Sequence, residues 1–186
     1  MKKIMLQLVY LMMCVAVASA KLEYGACPTG ISGIWPFDLS MFSGRWYVTH
    51  EMDKSEERCN AWTFSLNNDN QSYSVYNTAI RYDKILIHTG TAKQSSSEEG
   101  ELSVSFKDDG WLQSARNYII LMLNSEEYAV VYTCTTRFWF FRTRRAWVLN
   151  RQRNITDMNS SVTSSFEPYG MSESDFYPVN QENCSF

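Results

Sequence analysis

Histidine is scarce in this chain of 186 residues, which contains only His50 and His88. Two histidines at that spacing do not make a metal motif, because a zinc site needs three or four ligands brought close together. The sequence also lacks a nucleophile elbow, a histidine-assisted serine motif and a close pair of motif carboxylates. We therefore expect no metal, no cofactor and no enzymatic activity.

Long apolar runs are absent after the first twenty residues. Residues 1–20 begin with Lys2 and Lys3, continue with the apolar stretch Ile4–Ala18 and end in small residues, which is the layout of a secretory signal peptide. No later stretch approaches the roughly 20 apolar residues that a membrane-spanning helix needs. We expect residues 1–20 to be a signal peptide and residues 21–186 to form one secreted domain without a membrane span.

Positive charge is in deficit. Loss of Lys2 and Lys3 with the signal peptide would leave 15 basic against 20 acidic side chains, a formal charge of −5. Arginines and aromatic residues alternate between 137 and 153, a pattern that superficially resembles a nucleic-acid surface. The acidic balance and the signal peptide argue against nucleic acid as a partner. The pattern is explained by a strand with one aromatic and one charged face, or by a docking surface for an anionic protein or a phosphate-bearing ligand.

Cysteine is sparse but even in number once Cys14 leaves with the signal peptide. The four that remain are Cys27, Cys59, Cys134 and Cys184. In an exported chain they predict two disulfides, and counting alone allows three pairings. Loops of this length would each contribute about 4–5 kcal/mol in the chain-entropy model. Glycosylation sequons that fit the same exported setting begin at Asn70, Asn154 and Asn159.

Short segments rich in β-branched and aromatic residues predict an all-β fold from Phe42 to about Leu149. We predict eight strands, at 43–52, 60–67, 71–81, 84–93, 101–107, 117–123, 127–135 and 138–150. Turn signals separate them at Asn67–Asn70, Tyr82-Asp83 and Lys107–Gly110. Eight antiparallel strands can form a sandwich or close into an up-and-down barrel, which would enclose space for about one small ligand. Ile155–Glu167 has a weak helical spacing and predicts one helix outside the sheet.

Two motifs give the chain a family resemblance. Ser43–Tyr47 contains Gly44-Arg45-Trp46 and resembles the Gly-x-Trp motif that opens the first strand of lipocalins. Ala146–Arg151 resembles the third lipocalin motif. The resemblance implies an eight-stranded antiparallel up-and-down β-barrel, with Arg151 stacked over Trp46 beside Gly44 at the barrel floor.

The cysteine layout resembles the apolipoprotein D and bilin-binding group, which implies the pairs Cys27 with Cys134 and Cys59 with Cys184. Trp46–His50 and Val148–Arg151 look closer still to the nitrophorin, triabin and pallidipin relatives, the salivary lipocalins of blood-feeding bugs. Two features depart from the pattern. Leu123-Asn124-Ser125 stands where many members have Thr-Asp-Tyr, and residues 60–81 contain no histidine for haem. The order of the early strands stays open, because some triabin relatives are thought to alter it.

Strand alternation supplies candidates for the ligand-binding surface of such a barrel. They are Trp46, Val48, His50, His88, Val131, Thr143, Arg145 and Trp147. An inward Arg145 would require an anionic or carbonyl-bearing ligand or an acidic neighbour, whereas a bend in the barrel would place it in solvent. His50 would be either a hydrogen-bonding group that titrates near pH 6.5 or an ordinary solvated histidine.

The resemblance implies a protein that captures a small hydrophobic or amphipathic molecule without turnover. Likeness to salivary members implies scavenging of host eicosanoids, biogenic amines or nucleotides, and so antihaemostatic activity. Likeness to apolipoprotein D implies an endogenous lipid or tetrapyrrole carrier. In a further alternative, the outer loops Asp53–Glu57 or Lys107–Arg116 inhibit a host protease or receptor and the barrel is only a scaffold.

Overall fold

The computed structural model describes residues 22–95, 99–107, 115–137 and 140–186. The predicted signal peptide lies outside these ranges and stays a prediction. Most of the predicted turn at Lys107–Gly110 also lies outside them. No helix within the described ranges is long and apolar enough to cross a membrane.

Eight antiparallel strands form a closed barrel. The strands of the described residues are β1 Leu22–Tyr24, β2 Gly44–Glu51, β3 Arg58–Leu66, β4 Ser72–Arg81, β5 Lys84–Gln94, β6 Glu101–Phe106, β7 Arg116–Asn124, β8 Tyr128–Arg137, β9 Phe141–Asn150 and β10 Tyr177–Pro178. Strands β2 to β9 pair in sequence order, and β9 pairs with β2 to close the sheet. The short strands β1 and β10 add to β9 and β2. The predicted up-and-down barrel is confirmed, in sequential order.

The turns between strands follow from local backbone chemistry. Tyr82 and Asp83 both have positive φ, the conformation that a two-residue hairpin needs to match the twist of its strands. In the turn before β4, the Asp69 carboxylate accepts hydrogen bonds from the Gln71 and Ser72 backbone N–H groups. Short connections of this kind place each strand beside its predecessor and so determine the sequential order.

A short helix closes the bottom of the barrel. Helix α1, Leu39–Phe42, is capped by the Asp38 carboxylate, which accepts from the Ser40 N–H. The Phe42 ring stacks on Trp46 with centroids 5.4 Å apart, and the Trp46 indole donates to the Phe42 carbonyl at 2.8 Å. These contacts anchor the start of β2 and seal the end of the barrel away from its opening.

Helix α2, Ser160–Phe166, packs outside the barrel as predicted but is shorter than the predicted Ile155–Glu167. The Asn159 side chain accepts from the Val162 N–H and so begins the helix at residue 160. Val162 and Phe166 are buried against the outer faces of β8 and β9. The helix contains four serines and one threonine, so this packing rather than intrinsic propensity holds it.

Two disulfides join the chain ends to the barrel. Cys27 is bonded to Cys134, and Cys59 to Cys184, which is the pairing implied by the family resemblance. The first fixes the segment before α1 to β8. The second fixes the C-terminal tail, residues 177–184, to the start of β3.

The tail fills a gap between β2 and β3. These strands pair only through Gly44–Tyr47 and Ala61–Phe64. Further along, each strand also has a bulge in its pairing with its other neighbour. A bulge leaves backbone groups without ladder partners. The barrel therefore lacks direct β2–β3 hydrogen bonds in its upper half.

Hydrogen bonds from the tail supply partners for that part of the backbone. The Val179 N–H donates to the Thr49 carbonyl at 2.8 Å. The Gln181 amide donates to the carbonyls of Val48 and Asn60, each at 2.8 Å. The tail thus takes the place of the missing pairing.

Candidate ligand-binding cavity

Arg151 covers Trp46 at the barrel floor, with the guanidinium carbon 3.5 Å from the centre of the indole. Its nitrogens donate to the carbonyls of Ser43 at 2.8 Å, Arg45 at 2.9 Å and Ser125 at 2.9 Å. A cation over an indole face is favourable, and here it also satisfies three backbone acceptors. The arginine therefore connects the β2 start, the β7–β8 turn and the β9 end.

Gly44 allows this close approach. Its φ is +99°, and a Cβ at this position would lie 3.1 Å from the Arg151 Nη1 atom. Both the backbone conformation and the contact thus favour glycine. This geometry accounts for the residue type at the first position of the Gly-x-Trp motif.

The barrel interior has a packed lower part and an open upper part. The lower part contains a void of only about 10 Å³, bordered by apolar side chains. The upper part is a cavity of about 650 Å³, which is in the size range of small-molecule sites. Rings of Trp62, Tyr118 and Trp147 border both spaces and form the cavity floor.

Charged and polar groups line the cavity walls above that floor. The polar lining comprises Glu51, Asp53, Lys54, Ser55, Glu56, Glu57, Asn60, Asn77, Arg81, Tyr82, His88, Arg116 and Arg145. Small-molecule cavities are commonly apolar with a few polar groups. The apolar side chains are instead concentrated at the floor and below it, so an amphipathic ligand fits the upper space better than a fully apolar one.

A bulge in β2 decides which residue enters the cavity. Val48 lies opposite Leu149 on β9, but the next pair is His50 with Val148, so Thr49 is an extra residue. Inward and outward faces alternate along a strand, and an extra residue reverses the alternation. Glu51, opposite the inward Trp147, consequently faces the cavity.

The prediction that His50 lines the cavity is wrong for the same reason. His50 lies on the outer side, where its Nε2 atom is 3.1 Å from the Thr156 carbonyl and its Nδ1 atom 3.3 Å from the Thr49 hydroxyl. Burial lowers the pKa of His50, although the Thr156 hydrogen bond and nearby carboxylates partly oppose this. The imidazole is a structural contact between β2 and the segment before α2.

The other ligand-binding candidates lie in three different places. His88, Arg145 and Trp147 line the cavity, and their contact with a ligand stays a prediction. Trp46 and Val48 are fully buried in the packed core, and Val131 borders the small void beneath the floor. Thr143 is half-buried beside Thr135 and is not part of the cavity lining. Strand alternation predicts whether a side chain points into or out of the barrel. It does not predict how far up the barrel the packed core extends.

Arg145 has the acidic neighbour that its inward position required. Its guanidinium lies 3.0 Å from the Asp53 carboxylate. A second pair on the wall joins Arg81 to Glu57 at 2.6 Å. Both pairs are partly exposed, so each contributes little stability, but each neutralises an arginine that would otherwise favour an anionic ligand.

Residues 43–183 match the family model described as "Lipocalin / cytosolic fatty-acid binding protein family". The chain belongs to the lipocalin family. It is 39% identical to apolipoprotein D of Rattus norvegicus over 119 residues, 62% of this chain and 61% of that protein. It is 32% identical to apolipoprotein D of Mus musculus over 157 residues, 80% of this chain and 79% of that protein. The lipocalin thus spans about three fifths of the rat relative.

Solved structures show the same fold at low identity. Insecticyanin from the tobacco hornworm Manduca sexta superposes with a TM-score of 0.76 at 18% identity, covering 88% of this lipocalin and 90% of that chain. Apocrustacyanin C2 superposes with a TM-score of 0.69 at 18% identity, covering 87% and 92%. The likeness to salivary lipocalins of blood-feeding bugs stays a prediction.

Glu51 is the most deeply buried ionisable group of the lipocalin's cavity wall. Glu51 is only 7% exposed to solvent. Burial raises the pKa of Glu51 to about 7, against a hydrogen bond with Ser55, and the carboxylates of Glu57 and Asp53 add to the rise while Arg145 opposes it. Ionisable groups in clefts with strongly shifted pKa values are candidates for functional residues. Glu51 was not predicted from the sequence, because no local signal reveals the bulge in β2.

Replacing Glu51 with glutamine should flatten the dependence of stability on pH. The folded carboxyl has a raised pKa, so its contribution to stability is complete below the unfolded value and is lost as pH rises through about 7. Between pH 4.5 and pH 8 we expect wild type to lose about 2 kcal/mol relative to Glu51→Gln. Urea titrations across this range measure the difference. Glu167→Gln, an exposed carboxyl outside the barrel, is the control, and a Glu51→Gln profile parallel to wild type would contradict the prediction.

The three sequon asparagines Asn70, Asn154 and Asn159 are all exposed. The Asn159 side-chain oxygen caps α2, whereas a glycan attaches to the amide nitrogen. Capping and glycosylation at Asn159 are thus chemically compatible. Occupancy of the three sites stays a prediction.

Proposed function

We propose that this lipocalin is a secreted protein that binds one small amphipathic molecule in its upper cavity and releases it unchanged. The observation that carries the proposal is the space of about 650 Å³ above an aromatic floor. The floor offers apolar surface and the walls offer hydrogen-bonding and charged groups, which together fix the orientation of a ligand.

Several findings support this function. The matched family model includes fatty-acid-binding proteins by its description, and the curated relatives are apolipoproteins by name. The two disulfides suit an oxidising, extracellular setting. These points favour binding and transport over turnover.

The resemblance of Trp46–His50 and Val148–Arg151 to salivary lipocalins extends the proposal to a host mediator as ligand. Its capture would then lower mediator concentration where the protein is secreted. The apolipoprotein D relatives favour an endogenous lipid or tetrapyrrole instead. Native mass spectrometry of the secreted protein, followed by extraction of the bound molecule, distinguishes the two origins.

The central experiment blocks the cavity. His88 points inward on β5 and lines the cavity, whereas its neighbour Ile87 is 59% exposed. We expect His88→Trp to weaken binding of the neutral fluorescent probe N-phenyl-1-naphthylamine at least tenfold, and Ile87→Trp to bind like wild type. Fluorescence titration measures both.

Equal probe binding by the two tryptophan variants would overturn a cavity-based function. Unchanged inhibition of a clotting protease by His88→Trp would instead support action through the outer surface. Of the two loops proposed to act in that alternative, Asp53–Glu57 lines the cavity, and residues 108–114 of the other lie outside the described ranges.

A further inference from the structure

Two carboxyls of the cavity wall have no ion pair among the described residues: Glu56, which is exposed and accepts from the Tyr82 hydroxyl, and Glu51, which is buried. Arg145 and Arg81 are each engaged by a carboxylate, at 3.0 Å and 2.6 Å. Glu51 forms no ion pair among the described residues, and its hydrogen bond is to the Ser55 hydroxyl. A buried carboxylate without a cation is costly. A positively charged ligand group would relieve that cost.

The floor beside Glu51 is an aromatic cluster. Tyr118 and Trp147 stack with centroids 5.5 Å apart, and Trp62 lies 5.7 Å from Tyr118 and 5.8 Å from Trp147. Glu51 and Trp147 are directly opposite on β2 and β9. Aromatic clusters attract organic cations through the negative potential of the ring faces, and they also accept flat apolar groups.

We propose that the cavity selects an organic cation with an apolar or aromatic body, with its ammonium group against Glu51 and its body against Trp147, Tyr118 and Trp62. This inference rests on the proposed function and specifies the charge class of the ligand. A carboxylate ligand would place like charges together at Glu51. A neutral ligand would leave the Glu51 carboxylate uncompensated.

Two independent features together produce the proposed selectivity for a cation. The bulge at Thr49 turns Glu51 inward, and the packed layer below stops a ligand from descending past the three rings. A ligand body that rests on the floor therefore has its polar group at the height of Glu51. Asp53, Glu57 and Arg145 surround this position but are ion-paired with one another or with Arg81.

Three indole probes test the charge class, because they share one ring system and differ in charge. Tryptamine is cationic, tryptophol is neutral and indole-3-propionate is anionic. Isothermal titration calorimetry at pH 8, above the pKa of about 7 for Glu51, measures each affinity. We expect wild type to bind tryptamine at least tenfold more tightly than tryptophol, and indole-3-propionate least tightly.

Glu51→Gln keeps the shape of the side chain and removes its charge. In this variant we expect tryptamine affinity to fall about 10- to 100-fold, to the level of tryptophol, while tryptophol affinity stays unchanged. Glu167→Gln should behave as wild type with all three probes. Thermal unfolding of each variant verifies that it is folded.

The outcomes separate this inference from the proposed function. Tryptophol or indole-3-propionate binding as tightly as tryptamine, or unchanged tryptamine affinity in Glu51→Gln, overturns cation selection and leaves the carrier function standing. Failure of wild type to bind any of the three probes also overturns it. The carrier function has its own test and is overturned if His88→Trp and Ile87→Trp bind N-phenyl-1-naphthylamine equally.

Discussion

Replacing Arg151 with alanine is expected to lower the free energy of unfolding by about 3 kcal/mol. The change removes a guanidinium 3.5 Å from the Trp46 ring and three hydrogen bonds to backbone carbonyls. Hydrogen bonds from charged donors contribute about 1.5–3 kcal/mol each, and water can replace part of this at a half-buried site. The start of β2, the end of β9 and the turn between β7 and β8 would lose their common contact. Urea denaturation followed by tryptophan fluorescence measures the loss.

Arg153→Ala is the matched control for this prediction. Arg153 also lies over an aromatic ring, at 4.6 Å from the centre of Tyr47, but on the outside of the barrel. We expect it to cost less than about 1 kcal/mol, as exposed cation–π contacts do. Equal losses of unfolding free energy in the two arginine variants would show that the Arg151–Trp46 contact has no special role in stability.

Removing the Cys59–Cys184 disulfide by paired serine substitutions is expected to cost about 2–5 kcal/mol. The bond closes a loop with a sequence separation of 125. It also holds the C-terminal tail where Val179 and Gln181 satisfy carbonyls of β2 and β3. In addition to this loss of global stability, we expect faster hydrogen exchange at the backbone amides of Val179 and of position 59.

The Cys27–Cys134 pair offers a control of nearly equal loop length, with a sequence separation of 107. Loss of the Cys27–Cys134 disulfide should lower global stability by a similar amount. Hydrogen exchange at the Val179 amide should then become faster only through global unfolding, without a local effect on the tail. Hydrogen exchange by mass spectrometry on both double variants makes the comparison. Unaltered protection of the tail after loss of Cys59–Cys184 would contradict the local effect.

The strand pattern was predictable because barrel strands leave a strong signature in sequence. All eight predicted strands agree with β2–β9 to within three residues at each end, since period-two alternation and turn residues are local properties. The departure from the second lipocalin motif at Leu123-Asn124-Ser125 does not disrupt the contact of Arg151 with Trp46 at the barrel floor. Arg151 binds the Ser125 backbone carbonyl, which any residue at that position supplies.

The cavity was less predictable because its composition depends on two non-local features. The bulge at Thr49 exchanges His50 for Glu51 on the inner face, and it is visible only in the pairing of β2 with β9. The height of the packed layer depends on how Trp62, Tyr118 and Trp147 meet across the barrel. Neither feature follows from the residues of one strand alone.

The replacement of β2–β3 pairing by the tail has a mechanical consequence. A sheet ladder is continuous, but here the upper part of the wall is completed by a segment that belongs to no barrel strand and is attached covalently near its end. Displacement of that segment would widen the entrance beside Glu51 without breaking any ladder between β2 and β3. The upper wall between β2 and β3 therefore depends on the tail for its hydrogen bonds, whereas the aromatic cavity floor does not.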